Sequence, residues 1–402
     1  MAGQTLEPLP VYWTIGKKEH LNLMMAMKRP LSGYLGGQRS TGRFIRQLTE
    51  DWKAEFLVNY AIPCNSATSG LMAACMAAGI GPGDEVWVST YTMSATATCA
   101  MILGAEVKFL DVDHRLFNMA FPVITGAFKP PKAIIVTNLF GCAANLPMIR
   151  TFCNKYGVVL IEDNAQAPYA TIGGQYAGTI GHMGVFSLNV HKHIQCGEGG
   201  VVVTNDAYYA CGLEAAINHG ELEPHLQPIK HIGGNFRMTE PIAAIACAQL
   251  QKGFANVQTR IELAEAISDI FKDVSFVDIP VKRDGDRHAY YLWAGKINCA
   301  RASSIRGAFI TAVGKRGVPF RCGYSPLLHQ LFDHDVELPM AEELENERLF
   351  TFEVCAYDPK LHHLNRMRDI ILEEAETIEK EVRHEGHGQR GHRGPINLLG
   401  SA

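Results

Sequence analysis

The chain has 402 residues, of which 47% are hydrophobic and 19% are charged, and its formal net charge is −4. This length predicts two domains, and the small negative charge gives no basic field for binding nucleic acid or an anionic membrane. No apolar run reaches the roughly 18 residues of a membrane span, no secretory signal pattern begins the chain, and the 11 dispersed cysteines predict reduced thiols in a cytoplasmic protein.

Between about residues 65 and 205 the sequence alternates helical and strand-like stretches. Small-residue patterns predict helices at residues 66–78 and 94–103. Short apolar runs, which are typical of strands covered on both faces, predict strands at residues 84–88, 107–110, 133–137, 158–161, 185–188 and 201–204. Helices between strands indicate crossover connections, so we predict an α/β fold with a mostly parallel central sheet between helices. Ligands of such sheets collect at the carboxyl ends of the strands.

The sequence of the second half of the chain predicts a long helix followed by a smaller α+β domain. The helix covers residues 240–271, with Thr239 as its cap and Pro241 in its first turn. Further elements are predicted as strands at residues 275–281 and 290–297 and helices at residues 303–313, 339–349 and 364–382. The end of the chain is rich in Gly, Arg and His without apolar periodicity, which predicts a flexible tail. The predicted division is therefore 1–252, 253–383 and 384–402.

Lys192 has the most informative surroundings in the sequence. It follows Ser187 by five positions, precedes the turn formed by residues 197–200, and lies about thirty residues after an apolar run that ends at Asp163. A lysine beside a turn is usually a surface residue, but this set supplies an amine for an aldehyde, a carboxylate for a ring nitrogen, and hydroxyls and amides for a phosphate. These are the groups that hold pyridoxal 5'-phosphate. We therefore predict this cofactor, with Lys192 as the catalytic residue.

Asp163 follows a buried strand, where it or Glu162 could simply cap a helix. The alternative is an ion pair with the pyridinium nitrogen of the cofactor. A carboxylate there keeps the ring protonated, so that the ring can accept electrons from the substrate. Gln166 could reach the phenolic oxygen of the ring, and Ala165 or Ala167 could lie flat beneath it.

The start of the first predicted helix, residues 65–70, is a candidate phosphate site. Helix N-termini bind phosphate through free amides and a favourable dipole, although an ordinary cap is the alternative. We assign the backbone of Ala67 and the side chain of Thr68 to the cofactor phosphate. Ser187 is predicted to supply the second hydroxyl.

Large or aromatic side chains near the predicted site have two interpretations. Tyr91 or Met93 should cover the open face of the ring, and core packing is the alternative for both. His191 and His193 flank Lys192, and in an extended chain both would face away from its side chain. We treat them as supporting or substrate-proximal residues and predict no metal site, because no partner at metal-site spacing accompanies them.

Several ordered blocks of this sequence resemble the DegT/DnrJ/StrS sugar aminotransferases, which share the fold of aspartate aminotransferase. The blocks are NSATSGLMAA, GPGDEVWVSTYTMSATATCAMILGAEVKFLDVD, LFGCAAN, VVLIEDNAQA, FSLNVHKHIQCGEGGVVVTND and GGNFRMTEPIAAIACAQL. The likeness covers residues 30–250 strongly and continues through GYSPLLH at residues 323–329. It implies fold type I of the enzymes that use pyridoxal phosphate, with a large domain and a smaller C-terminal one.

The resemblance also implies roles for individual residues. It makes Lys192 the covalent attachment point, pairs Asp163 with the pyridinium nitrogen and places Gln166 at the ring oxygen. Phosphate binding is implied for Ala67, Thr68 and Ser187. Asn235 reaches the phosphate of the neighbouring subunit, so the resemblance implies a homodimer with shared active sites. The family usually has an aromatic residue at the position of Met93, where this chain has a thioether.

The activity implied is the transfer of an amino group from an amino acid, glutamate or glutamine, to a keto sugar, in particular a nucleotide-linked one. A keto-inositol, a ketose phosphate or another small ketone is the alternative acceptor. A branch of the family that carries histidine in place of the lysine performs deoxygenation, and Lys192 therefore favours amine transfer. A non-catalytic regulatory or scaffold protein is a third hypothesis, and the complete set of predicted site residues argues against it.

Overall fold

A computed structural model describes residues 5–28, 31, 42–122, 128–221 and 232–388. Thirteen strands are found there: β1 Tyr60–Cys64, β2 Glu85–Ser89, β3 Glu106–Leu110, β4 Ala133–Thr137, β5 Val159–Asp163, β6 Thr171–Ile172, β7 Gln175–Tyr176, β8 Met183–Ser187, β9 Gly200–Thr204, β10 Val277–Asp278, β11 Trp293–Ile297, β12 Arg321–Cys322 and β13 Leu349–Phe352. The α-helices of the same ranges are α1 Lys17–Ala26, α2 Arg43–Phe56, α3 Ala67–Ala77, α4 Ala95–Met101, α5 Leu146–Tyr156, α6 Ala207–Ile217, α7 Glu240–Leu250, α8 Gly253–Phe271, α9 Ala302–Lys315, α10 Leu328–Leu331, α11 Pro339–Glu343 and α12 Leu361–Gly388. None of the described helices combines the length and the apolar character that crossing a membrane requires.

A seven-stranded sheet in the order β1-β9-β8-β5-β4-β2-β3 forms the centre of the larger part of the fold. Strand β9 runs antiparallel to both of its neighbours, whereas β8, β5, β4, β2 and β3 pair in parallel. The predicted α/β class with a mostly parallel sheet is therefore confirmed. Parallel strands place their carboxyl ends at one edge, and β5 and β8 bring Asp163 and Ser187 to that edge.

Helix α3 approaches the sheet closely because its packing face is made of small residues. A β-carbon at Gly70 would lie only 2.9 Å from a methyl group of Val202 in β9. A β-carbon at Gly200 would lie 2.8 Å from the backbone nitrogen of Ala67. These two glycines allow the first turn of α3 to lie directly against the sheet, which fixes the position of its free amides.

A second, antiparallel sheet in the order β10-β11-β13-β12 carries its own aromatic core. Trp293 stacks on Phe271 with 4.9 Å between ring centroids, and Phe350 packs against both rings. Helix α12 contacts α8 and α9, and α9 contacts the strands of this sheet. The domain boundaries at residues 252 and 383 remain a prediction.

Two predicted helices are wrong in their extent. The helix over residues 240–271 is broken between α7 and α8, where Lys252 leaves helical geometry and its ammonium forms an ion pair of 2.7 Å with the buried Glu19. The helix over residues 339–349 ends early. After α11 the chain makes a π turn over Leu344–Arg348 and then enters β13. The buried Arg306 donates to the carbonyls of Glu345 and Leu349 and so terminates that turn.

The C-terminal helix is longer than predicted. Helix α12 continues to Gly388, beyond the predicted end at residue 382 and into the predicted tail. The rest of that tail, residues 389–402, lies outside the described residues, as does the segment 32–41.

Candidate active site

A cavity of about 410 Å³ opens at the carboxyl ends of the parallel strands. Residues from the first turn of α3, the start of α4, the ends of β5 and β8, and the second sheet region all contribute to it. Its lining is Ser66, Ala67, Thr68, Leu71, Thr92, Met93, Ala95, Asp163, Ala165, Gln166, Ser187, Asn189, His191, Lys192, Glu198, Tyr291 and Tyr324. Seven of the predicted site residues therefore line this one cavity. The first and last of them, Ala67 and Lys192, are more than 120 positions apart in the sequence.

Asp163 is the last residue of β5 and is only 5% exposed. Its carboxylate accepts hydrogen bonds from the hydroxyl of Thr96 at 2.7 Å and from the backbone N–H of Ala165 at 3.1 Å. Burial raises the pKa of this carboxyl, while these donors and the charge of Lys192 act in the opposite direction. A cationic ring nitrogen in the cavity would offset the desolvation that this side chain suffers.

Lys192 lies in the turn after β8, where its backbone N–H donates to the carbonyl of Asn189 at 2.9 Å. Its ammonium lies 4.0 Å from the ring centroid of Tyr291, a cation–π contact within the cavity. Desolvation lowers the pKa of Lys192 to about 8, although the attraction of Asp163 opposes this change. A neutral amine is therefore accessible near neutral pH, and only that form can attack a carbonyl carbon.

The anion-binding end of the cavity is the first turn of α3. The Ser66 hydroxyl caps the helix by accepting from the N–H of Ser69 at 3.1 Å. The amides of the first turn have no acceptor within the helix, and the helix dipole makes them suited to an anion. The hydroxyls of Thr68 and Ser187 line the same space, so the predicted phosphate residues are adjacent in the structure.

Gln166 is held by the backbone of the loop after β4. Its carbonyl oxygen accepts from the N–H of Phe140 at 2.8 Å, and its amide nitrogen donates to the hydroxyl of Tyr324 at 2.8 Å. This fixes the orientation of the amide, with its donor group toward the cavity. Ala165 lines the cavity whereas Ala167 is fully buried, so the structure selects Ala165 as the small residue beside the ring space.

Two predicted positions, Tyr91 and His191, differ from expectation. Tyr91 is fully buried, donates its hydroxyl to Glu345 and packs edge-on against Phe140, so Met93 is the member of that pair that lines the cavity. His191 also lines the cavity instead of facing away, because the chain turns at this point and is not extended. Its counterpart His193 does face away and is buried, with its Nε2 2.9 Å from the carbonyl of Ala289.

Asn235 lies outside the cavity of its own subunit. It is exposed, and its backbone bridges to Asn218. Its carbonyl oxygen lies 3.4 Å from the side-chain amide of Asn65, the residue before the cap of α3.

Sequence reasoning missed several residues of the site. Tyr291 appeared only as part of a predicted strand, and Thr96 only as part of a predicted helix. Neither has a local signal, because their importance comes from contacts with Lys192 and Asp163, which are 99 and 67 positions away in the sequence. Glu198 was predicted only as part of the turn at residues 197–200. In the structure it lines the cavity and accepts a hydrogen bond of 2.9 Å from the side chain of Asn189.

The donor set fits pyridoxal phosphate. An amine of lowered pKa, a buried carboxylate and a helix N-terminus with two hydroxyls share one cavity. These are the partners for the aldehyde, the ring nitrogen and the phosphate respectively.

Comparison with known proteins gives an independent result. The sequence pattern of the DegT/DnrJ/EryC1/StrS aminotransferase family matches residues 32–354. The chain is 34% identical over 293 residues to the UDP-N-acetyl-3-dehydro-alpha-D-glucosamine 3-aminotransferase of Acidithiobacillus ferrooxidans, which covers 71% of this chain and 77% of that protein.

Solved structures show the same fold. A DegT DnrJ EryC1 StrS aminotransferase from Brucella abortus is 25% identical, with a TM-score of 0.76 over 88% of this chain and 94% of that one. The GDP-4-keto-6-deoxy-D-mannose-3-dehydratase of E. coli, solved with bound hydrated pyridoxal phosphate, is 22% identical with a TM-score of 0.77 over 92% of this chain and 100% of that one. The predicted fold type I is confirmed.

Proposed function

Because the chain belongs to the DegT/DnrJ/EryC1/StrS aminotransferase family, we propose that it moves an amino group from glutamate or glutamine to a nucleotide-linked keto sugar. It is an aminotransferase, and its cofactor is pyridoxal 5'-phosphate. The relative from Acidithiobacillus ferrooxidans is named for a UDP-linked dehydro sugar, which supports an acceptor of this class. The observation that carries the proposal is the shared cavity of the Lys192 amine and the Asp163 carboxylate.

Each site residue has a proposed task. Lys192 would hold the cofactor covalently, and its free amine would accept the proton that leaves the α carbon of the donor. Asp163 holds the proton of the ring nitrogen. The cofactor supplies an electron-accepting ring when it is bound. Gln166 donates toward the ring oxygen, and Met93 covers the ring face. Phosphate is bound by Ala67, Thr68 and Ser187.

The donor step tests the function directly. Purified holoenzyme treated with glutamate or glutamine alone should lose its visible absorbance and release about one keto acid per site, because transfer of the amino group requires no acceptor until the second stage. The treated enzyme should then regain its absorbance with a UDP-linked or other nucleotide-linked keto sugar. Recovery with a keto-inositol or a ketose phosphate instead would assign a different acceptor. No response to either donor would contradict the proposal.

The lowered pKa of Lys192 sets a pH dependence. The rate of covalent cofactor uptake by the cofactor-free chain should rise with pH, with a midpoint near pH 8, because the protonated amine cannot attack the aldehyde. Asp163→Asn should move this midpoint to lower pH, since it removes the negative charge that favours the protonated form. Stopped-flow absorbance across pH 6 to 10 measures both. A rate that does not change over this range would exclude an attacking amine of lowered pKa.

We also propose that the active unit is a cytoplasmic homodimer in which Asn235 contributes to the partner's phosphate site. Support comes from the exposed position of Asn235, which does not line the cavity of its own subunit. Each site would then combine Lys192 of one subunit with Asn235 of the other.

A complementation experiment tests this arrangement. Lys192→Ala and Asn235→Ala chains, each inactive or strongly impaired as a homodimer, are unfolded together and refolded as a mixture. Random pairing gives half mixed dimers with one intact site each, so activity should recover to about a quarter of the wild-type value. Separately refolded chains serve as the control. Failure to exceed the sum of the two separate activities would exclude a shared site.

A further inference from the structure

A chain of three buried threonine hydroxyls ends on Asp163. The hydroxyl oxygens of Thr137 and Thr92 are 2.9 Å apart, those of Thr92 and Thr96 are 3.1 Å apart, and the Thr96 hydroxyl lies 2.7 Å from Oδ2 of Asp163. Thr92 and Thr96 are fully buried and Thr137 is 3% exposed. The chain joins the end of β4, the loop after β2 and the first turns of α4 to the end of β5.

The ionised carboxylate fixes the direction of every hydrogen bond in this chain. A carboxylate only accepts, so the Thr96 hydroxyl must donate to it. The Thr96 oxygen is then the acceptor for Thr92, and the Thr92 oxygen is the acceptor for Thr137. Hydrogen bonds aligned in this way polarise one another and strengthen the last member. A protonated carboxyl could instead donate to Thr96, so the aligned arrangement favours the ionised state.

Asp163 needs this support because its burial opposes ionisation. Burial raises the pKa of its carboxyl, and the groups that act against this are the Thr96 hydroxyl first, then the Ala165 N–H and the charge of Lys192. Two further titratable groups, the Cys99 thiol and the Tyr324 hydroxyl, also lie close enough to interact electrostatically with the carboxylate. Hydrogen bonds that hold both carboxylate oxygens also restrict the rotation of the side chain.

We propose that Thr96, backed by Thr92 and Thr137, is a positioning residue that keeps Asp163 ionised and oriented toward the ring nitrogen of the cofactor. This proposal depends on the role given to Asp163 above. Thr96 does not line the cavity, so it acts through Asp163 and not through the cofactor.

The first test measures the affinity of the full-length chain for pyridoxal phosphate by equilibrium titration. Thr96→Val removes the donor and keeps the shape, so it should weaken binding by about tenfold or more, since hydrogen bonds to charged groups have energies of that order. Thr96→Ser keeps the hydroxyl and should remain within about threefold of wild type. Thr137→Val, two bonds away from the carboxylate, should have a smaller effect than Thr96→Val. Equal affinity of the Val and Ser variants would overturn the proposal.

A double-mutant cycle separates this role from simple packing. In an Asp163→Asn background, Thr96→Val should change the affinity by less than about threefold, because the charge that the hydroxyl stabilises is already absent. The same loss in both backgrounds would show that Thr96 acts by packing alone and would overturn the proposal. Asp163→Asn by itself tests the role assigned to Asp163, which is rejected if the affinity for the cofactor is unchanged. If Asp163→Asn weakens binding but Thr96→Val does not, only the proposal for the threonine chain is rejected.

The pH titration of the holoenzyme absorbance gives a further readout. Thr96→Val should shift the midpoint pH of the absorbance transition relative to wild type, whereas Thr96→Ser should not. The reason is that the Thr96 hydroxyl stabilises the negative charge of Asp163 near the ring. Urea unfolding of each variant checks that the chain is folded. A transition that is identical in Thr96→Val and wild type would count against the proposal.

Discussion

Lys192→Ala is expected to reduce the rate of amino transfer by at least about 10³-fold, the largest effect of any single substitution in this chain. In the proposed mechanism, the variant loses both the amine that attaches the cofactor and the group that moves the substrate proton. Its cofactor, if bound, should not become fixed to the chain by borohydride, which mass spectrometry of the intact protein measures. The cavity lining is otherwise unchanged, so binding through the phosphate residues should persist.

Two controls make the Lys192 result specific. Lys272→Ala removes a surface lysine that pairs with Asp269 and should leave the rate unchanged. A small primary amine added to the Lys192→Ala variant should restore part of the rate, because it can occupy the vacated space and carry the proton. Turnover of Lys192→Ala near the wild-type rate would refute the assignment of Lys192.

Asp163→Asn is expected to lower kcat by about 10²–10³-fold, the size of effect seen when a preorganised electrostatic partner is removed from an active site. The substitution preserves the volume of the side chain but removes the charge that holds a proton on the ring nitrogen. Stability should change little, because the amide oxygen can accept from the N–H of Ala165 while the rotatable hydroxyl of Thr96 accepts from the amide nitrogen. Steady-state kinetics and urea unfolding measure the two quantities separately.

The neighbouring carboxylate provides a matched control with the opposite outcome. Glu162 is fully buried and accepts from the N–H groups of Gly178, Ile180 and Gly181 and from the side chain of Asn138. Glu162→Gln places an amide donor against backbone donors and should lower the free energy of unfolding by about 1–3 kcal/mol. The folded fraction should retain kcat, because Glu162 does not line the cavity. A loss of kcat without a loss of stability in Glu162→Gln would contradict this division of roles.

Sequence patterns predicted the central sheet well because its strands are short, apolar and covered on both faces. The strand at residues 133–137 was predicted at its observed ends, and the other predicted strands of this sheet differ by a few residues, whereas β1 at its edge was not predicted. The predicted helix ran through the break at Lys252, where the ammonium pairs with Glu19, more than 200 positions earlier in the chain. The π turn after α11 was also not predicted, and there the distant Arg306 binds the backbone.

In the candidate site, too, residues with a local sequence signature were predicted, and contacts between distant segments were not. Lys192, Asp163 and the start of α3 were predicted because each has a local signature: a lysine before a glycine turn, a carboxylate after an apolar strand, and a capped helix start. Tyr91 was misplaced because an aromatic residue after a strand can face either the cavity or the core. Its partner Glu345 lies 254 positions away, and that contact decides for the core.

The amino-acid sequence by itself determined the fold class, the cofactor chemistry and the residues that carry reactive groups, because these depend on local periodicity and on residue type at short spacing. Only the tertiary structure decided how those groups are tuned. The pKa of Lys192, the orientation of Gln166 and the hydroxyl chain behind Asp163 arise from desolvation and hydrogen bonds between distant segments. Such interactions depend on distances of a few ångströms in space, and the linear order of residues does not specify them.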